Sequence, residues 1–167
     1  NTNRTLTLPD EAGTIDTLQR AGNVLQVVSA VSSGVASTTS SASWVSAALQ
    51  ATITPKFASS KIVIIVMQAI QTWSSGTSYA TGMWQLLQNA TVLYTPSSLT
   101  NGNVFTYDYG GSGINRYAPY IINHVDSPNT TAAVVYKTEI KLGTNGGNFV
   151  GANSNAPGCI TLMEIAV

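Results

Sequence analysis

Hydrophobic and polar residues alternate along much of this chain with the two-residue period of a β-strand. In residues 132–142 the even positions are mainly apolar, whereas the odd positions carry Lys137, Glu139 and Lys141. Residues 45–53 repeat the pattern with apolar odd positions, and a proline follows two residues later. Because successive side chains of a strand point to opposite faces, both segments predict strands with one face in a core and the other in solvent.

Two other segments are apolar on both faces. Residues 62–67 are apolar at every position, and residues 160–167 place apolar side chains on both sides of the expected strand. A strand of this kind must be covered twice, whereas a two-sheet sandwich normally covers only one face. The pattern therefore predicts self-association, or for residues 62–67 a central position beneath a flap. A buried helix is the competing interpretation, and β-branched density and short length argue against it.

The rest of the pattern predicts an all-β domain. Further strand candidates lie at residues 24–31, 83–88, 91–95, 104–109 and 117–125. Eight or nine strands separated by turn signals, with no segment of helical period, predict an antiparallel β-sandwich of the jelly-roll type over residues 23–167. Residues 1–22 hold a large share of the charged residues and one short alternating stretch, which predicts a separate stem or linker segment.

Composition narrows the functional classes. Charged residues make up 8% of the chain, against about 25% in an average protein. The net charge is zero, so no basic surface for nucleic acid or acidic membranes is expected. The single Cys159 excludes a disulfide within the chain, and no metal or other cofactor is expected. No apolar run is long enough to insert in a membrane. The first residue, Asn1, is not Met, which predicts a fragment or a processed piece of a longer protein.

Groups suited to catalysis are few. His124 is the single histidine, and its neighbours show no nucleophile-elbow pattern, so a hydrogen-bonded strand histidine is the favoured interpretation. A glycosidase needs two carboxylates across a cleft, and Asp108 with Asp126 is the pair that stays open. We expect no enzymatic activity, with cleavage of a surface polysaccharide as the least favoured alternative.

Glu164 is unusual because it lies in the apolar closing strand. A buried carboxylate there requires a partner. Lys56 or Lys61 is available to supply it, which favours a structural role for this residue.

Several aromatic residues lie in Ser-, Gly- and Asn-rich surroundings that are typical of binding loops. Aromatic faces stack on sugar rings, while Asp and Arg bind hydroxyl and acidic groups. A core or subunit-axis position is the alternative for each aromatic residue taken singly. The candidate binding residues are Trp73, Tyr79, Tyr107, Asp108, Tyr109, Arg116 and Tyr117.

Several stretches of the chain together carry a family resemblance. They are LTLPDEAGTI at residues 6–15 and, in the body, GNVLQVV, ATITP followed by SSKI, DSPNTT and the closing ITLMEIA. The first is similar to a turn segment of fibre shafts. Together they resemble the C-terminal, distal modules of bacteriophage tail fibres, especially those of marine and cyanobacterial podoviruses. The resemblance covers most of the chain except residues 76–113, and its motifs are structural.

This resemblance implies a homotrimer at the end of an extracellular virion fibre. It implies attachment to a host-surface glycan or outer-membrane protein, and the unmatched residues 76–113 are expected to vary with the host. A purely structural module that trimerises and caps the fibre is the alternative.

Overall fold

The computed structural model describes residues 20–39, 42–74, 80–95, 104–106, 114–143, 149–153 and 156–167. The regular secondary structure in these ranges consists of β-strands, with no helix. The strands are β1 (Val24–Val31), β2 (Ala36–Thr38), β3 (Val45–Ile53), β4 (Lys61–Ser74), β5 (Ala80–Gln88), β6 (Thr91–Tyr94), β7 (Val104–Thr106), β8 (Ile114–Asp126), β9 (Val134–Leu142), β10 (Phe149–Ala152) and β11 (Cys159–Ile165).

The strands form two antiparallel sheets. Sheet A has the order β1-β11-β4-β10-β2, with β8 paired along the other side of β4. Sheet B has the order β3-β9-β5-β6, and β7 also pairs with β5. The predicted all-β, antiparallel architecture is confirmed, and two such sheets are consistent with a β-sandwich. The jelly-roll type and the homotrimer stay predictions.

Strand β4 is the centre of sheet A. Its residues Ile62–Ser74 pair with β8 along their whole length. On the opposite side, β11 pairs with residues 61–67 of β4 and β10 pairs with residues 70–73. Each half of sheet A is therefore four strands wide, and β4 and β8 connect the halves.

The core lies between the sheets and is built by the alternation seen in the sequence. Ile62, Ile64 and Val66 of β4 are fully buried and form one cluster with residues of β9, including Tyr136 and Ile140. Burying each such side chain contributes ~1.5–3 kcal/mol. Strands β9 and β3 show the predicted alternation between buried and more exposed positions.

A bulge in β3 keeps that alternation while changing the backbone. Ser46 lies opposite Glu139, and Gln50 lies opposite Lys137, so β3 contains two more residues than β9 over this stretch. Ala48 has the left-handed φ of 55° inside the bulge. An insertion of two residues preserves the period of two, so the apolar positions still face inward.

The bulge leaves the carbonyl of Ala47 free to enter a buried polar network that joins the sheets. The Gln68 amide nitrogen donates to the Ala47 carbonyl at 2.9 Å and to Oδ1 of Asn153 at 3.0 Å. Its amide oxygen accepts from Trp84 Nε1 at 2.8 Å and from Thr138 Oγ1 at 2.9 Å. Gln68 thus uses both donors and both acceptor positions in the core.

The predicted stem falls mostly in residues 1–19, which lie outside the described residues, so the division at residue 22 stays a prediction. Gly22 N–H donates to the carbonyl of Ala166 at 2.9 Å, and Ala166 N–H donates to the carbonyl of Asn23 at 2.9 Å. These bonds continue the pairing of β1 with β11.

Candidate functional site: the outer face of sheet A

The outer face of sheet A is formed by the residues of β1, β11, β4 and β8 that point away from the core. Two apolar rows cross all four strands. Five side chains in them are well exposed, from Met67 at 48% to Val31 at 69%; the other three are Val27, Ile121 and Val125. The rows are Val31, Cys159, Met67 and Ile121, and Val27, Met163, Val63 and Val125.

The row between them is more polar but partly paired within the chain. The hydroxyl groups of Ser29 and Thr161 lie 2.9 Å apart and share a hydrogen bond. Ile65 and Asn123 continue this row across β4 and β8. The hydroxyl groups of Ser29 and Thr161 would therefore keep a hydrogen-bond partner if another molecule covered this face and excluded water.

Charge is almost absent from this face. Among the outward positions of β1, β11, β4 and β8 whose side chains are described, the charged residue is Lys61, at one end of β4.

The outer face of sheet B is different, because β9 places three charged side chains there. Lys137 and Glu139 form an ion pair at 3.0 Å, and Lys141 lies 4.8 Å from the ring centroid of Trp44. The two outer faces of the molecule therefore present different chemistry.

The two segments predicted to be apolar on both sides prove to be neighbours, since β11 pairs directly with β4. Their second apolar sides fall on the outer face of sheet A, where Ile65 and Met67 are exposed. The helical interpretation of residues 62–67 is wrong, because they form a strand. The self-association inferred from them stays a prediction.

Strand β5 is buried on both of its faces, which the sequence pattern did not predict. Trp84 and Leu86 face the core, and Met83, Gln85 and Leu87 on the other side are buried as well. Gln85 in this stretch breaks the apolar run, which hides the double burial from sequence inspection.

Two predicted binding residues lie together on the outer face of sheet A. Tyr117, 45% exposed, is opposite Gln71, and Trp73, half-buried, is opposite Asn115. Trp73 and Tyr117 are thus diagonal neighbours across β4 and β8, within reach for aromatic side chains.

The structure does not place the other predicted binding residues beside Trp73 and Tyr117. Arg116 lies in β8 opposite Thr72. Tyr79, Tyr107, Asp108 and Tyr109 lie outside the described residues.

The carboxylate Asp126 has a structural partner. The hydroxyl of Tyr136 donates to Asp126 at 2.7 Å. Burial and this hydrogen bond raise the pKa of Tyr136. Asp108, the other member of the predicted glycosidase pair, lies outside the described residues, and His124 is half-buried in β8 opposite Ile64.

Glu164 is fully buried, and its partners are not the predicted lysine ammonium groups. Its carboxylate accepts hydrogen bonds from the backbone N–H groups of Lys56 at 2.7 Å and Phe57 at 3.3 Å, and from the side chain of Gln26 at 2.5 Å. The Lys56 ammonium group donates instead to the carbonyl of Leu25 at 2.9 Å. Burial alone would raise the pKa of Glu164, but the hydrogen bonds outweigh it and lower this pKa.

Tyr120 belongs to an aromatic group at the edge of the core. Its ring lies 4.3 Å from the Trp84 ring, measured between centroids. Burial, and secondarily a hydrogen bond with Tyr94, raises the pKa of Tyr120. Trp84 therefore fills the core, as the alternative interpretation of the aromatic residues expected.

Comparison with known proteins leaves the family open. No family model and no curated protein matches the chain. One similar solved structure is that of the infectious bursal disease virus Gx strain, with 14% identity and a TM-score of 0.35. The match covers 98% of this chain and 41% of that chain, so the protein spans less than half the length of its structural neighbour.

Within the described ranges, no helix is long and apolar enough to cross a membrane. Among the same residues, no group of three or more His, Cys, Asp or Glu side chains is placed to hold a metal ion.

Proposed function

We propose that the protein is a non-enzymatic, self-associating module at the distal end of a virion fibre, assembled as a homotrimer. The observation that carries the self-association is the nearly uncharged apolar outer face of sheet A. Exposed apolar surface in water is unfavourable, and a large patch of it marks an interaction site. The fibre, the virion and the number of copies rest on the resemblance of the sequence to distal tail-fibre modules.

The mass of the protein in solution tests this function. Sedimentation equilibrium of the full chain should give three times the 17.4 kDa of a single chain at micromolar concentration. A species of 17.4 kDa at every concentration up to the solubility limit would contradict the proposal. A stable dimer would contradict the trimer and keep the self-association.

Receptor recognition is the companion role, and the pairing of Trp73 with Tyr117 supports it. These two aromatic side chains share one face at the end of β4 and β8 next to the segments that lack a match to tail-fibre modules. Aromatic rings on a polar strand end suit stacking on sugars. The ligand class we propose is a bacterial surface glycan.

Binding of the wild-type chain to an array of bacterial surface glycans tests the recognition role. Trp73→Ala and Tyr117→Ala should each abolish a detected signal without changing the mass of the assembly. Tyr94→Ala is the matched control, since Tyr94 is a partly exposed tyrosine on sheet B. Equal loss in all three variants, or no binding by the wild type, would leave a purely structural capping role as the better description.

A further inference from the structure

We infer that other copies of this chain cover the outer face of sheet A, and that the copies meet through this face and not through the open edge of β8. The inference rests on the proposed self-association and specifies its surface. Three observations carry it: the area of the face, its lack of charge and the position of Pro119.

The area of the whole face approaches that of a standard contact. β1, β11, β4 and β8 contain 8, 7, 14 and 13 residues. At a rise of ~3.3 Å per residue and a strand spacing of ~4.8 Å, their projected area is roughly 670 Å². A standard protein interface buries about 800 Å² on each partner. The apolar rows occupy the half that contains β1 and β11, and Ala69 and Pro119 extend the surface toward the end that holds Trp73 and Tyr117, which stays free for a ligand.

The chemistry of the face favours an identical partner. A charged partner would require complementary charges, whereas Lys61 is the one charged side chain at the described outward positions, and it lies at the end of the strand. The polar row between the apolar rows contains a hydrogen bond already made between Ser29 and Thr161. An apolar face on which Ser29 and Thr161 are already paired is compatible with a copy of itself. Around a three-fold axis, the two halves of this one face would meet the two neighbouring copies.

The edge of β8 is the competing place for association. No described strand pairs with its far side, so this edge exposes backbone donors and acceptors that attract another strand. Pro119 lies in the middle of this edge strand, opposite Ala69.

The orientation of Ala69 shows where the Pro119 nitrogen points. The Ala69 carbonyl accepts from Asn153 N–H at 2.9 Å, on the β10 side of β4. Its backbone groups therefore point away from β8, and Ala69 with Pro119 is a non-hydrogen-bonded pair. The backbone nitrogen of Pro119 consequently faces the open edge, where it has no N–H to donate. Strand addition along this edge is thus interrupted at its centre.

Charge placed on the face tests the inference in the full chain. Ile121→Glu should reduce the assembly mass to the 17.4 kDa of one chain at micromolar concentration. Ile121 is exposed in the single chain, so the substitution should leave the circular dichroism spectrum unchanged. If this variant fails to fold, Val31→Glu on β1 provides the same charge on a different strand.

Thr52→Glu is the matched control. Thr52 is an exposed residue on β3, which is an edge strand as β8 is, but it belongs to sheet B. The control should keep the wild-type mass. If Thr52→Glu dissociates the assembly and Ile121→Glu does not, the copies meet through sheet B and the inference is wrong.

Cys159 provides a second readout, because it is the single cysteine and lies in the same row as Met67 and Ile121. Its reaction with a maleimide should be slow in the wild-type assembly, and should become faster on dilution and in Ile121→Glu.

The outcomes separate the inference from the proposed function. A wild-type trimer with a freely reactive Cys159 would overturn the inference and keep the function. A wild-type monomer would overturn both. A protected Cys159 in such a monomer would show that another part of the same chain covers the face.

Discussion

Gln68 is the residue that most directly ties the two sheets together. It lies in sheet A, whereas Trp84 and Thr138, which donate to its amide oxygen, lie in sheet B. Asn153 extends the network by donating to the carbonyls of Gly34 and Ala47 at 2.9 and 3.0 Å. A fully satisfied buried network specifies one alignment of the sheets, because any shift would leave donors or acceptors unpaired.

Gln68→Leu should destabilise the fold by about 3 kcal/mol, since the apolar side chain leaves the Trp84 N–H and the Asn153 carbonyl oxygen buried without their partner. Urea unfolding followed by tryptophan fluorescence measures the change. Gln71→Leu is the control on the same strand, because Gln71 is half-buried on the outer face, and its effect should be much smaller. A loss below about 1 kcal/mol in Gln68→Leu would show that the network contributes little net stability.

Glu164 joins β11 to β1 and to the connection between β3 and β4. Its lowered pKa means that the folded state favours the ionised form more than the unfolded chain does. The resulting stabilisation is present above the ordinary pKa of 4.5, and is lost as the pH falls through the lower pKa of the folded state.

Glu164→Gln should therefore be clearly less stable than the wild type at pH 7, because an amide donor would replace an oxygen that accepts from other donors. The difference in the free energy of unfolding should shrink as the pH falls below 4.5. Urea unfolding at a series of pH values checks this. Glu139→Gln, at a partly exposed ion pair on sheet B, should lose less stability at pH 7, and an equal loss in the two variants would contradict the role of Glu164.

Strand β8 combines an apolar outer side with a long edge on which no described strand pairs. An edge of 13 residues is a potential aggregation site unless a device prevents pairing. Pro119 is such a device, because its nitrogen faces the edge and cannot donate a hydrogen bond.

Pro119→Thr should accordingly convert this edge into one that accepts a further strand. We expect an increased fraction of high-mass aggregates after prolonged incubation, with little change in the stability of the fold. Light scattering and thioflavin fluorescence measure the aggregates. Asn123→Thr, on the same strand and the same outward side, should not increase them, and aggregation in both variants would point to the outer side and not the edge.

The strands that the sequence predicts are those with a long period of two. Residues 132–142 and 45–53 carry enough alternating positions to define β9 and β3. Strands β2 and β10 have three and four residues, which are too few to show a two-residue period in the sequence. They belong to sheet A because β10 pairs with the part of β4 that extends past β11.

The candidate site could be predicted in composition but not in arrangement. The sequence shows that residues 62–67 and 160–167 are apolar on both sides. The two segments are far apart in the sequence, however, so no local pattern predicts that they pair with each other. The partners of Glu164 were missed for a related reason. Two of them are backbone N–H groups of Lys56 and Phe57, and every residue except proline has such a group.

On the scale of the whole molecule, most of the charged side chains that the structure describes lie away from the outer face of sheet A. An association through that face should therefore depend weakly on electrostatics. Raising sodium chloride from 0.1 to 1 M, about a threefold decrease in screening length, should leave the dissociation constant unchanged or lower it. Sedimentation at both salt concentrations checks this, and weakening by salt would indicate that charged surfaces form the contact.

The position of β11 between β1 and β4 has a consequence for the biosynthesis of the protein. β1 joins sheet A through β11, although it precedes β11 by most of the chain. While the ribosome is still making the intervening strands, β11, the partner of β1 among the described strands, is missing, and the edge of β4 that β11 will occupy is not yet paired with it. Such long-range pairing makes folding slow and leaves the nascent chain dependent on protection from premature contacts. Emergence of β11 from the ribosome, more than the synthesis of any earlier strand, should mark the moment at which the chain can complete its fold and first recognise another copy.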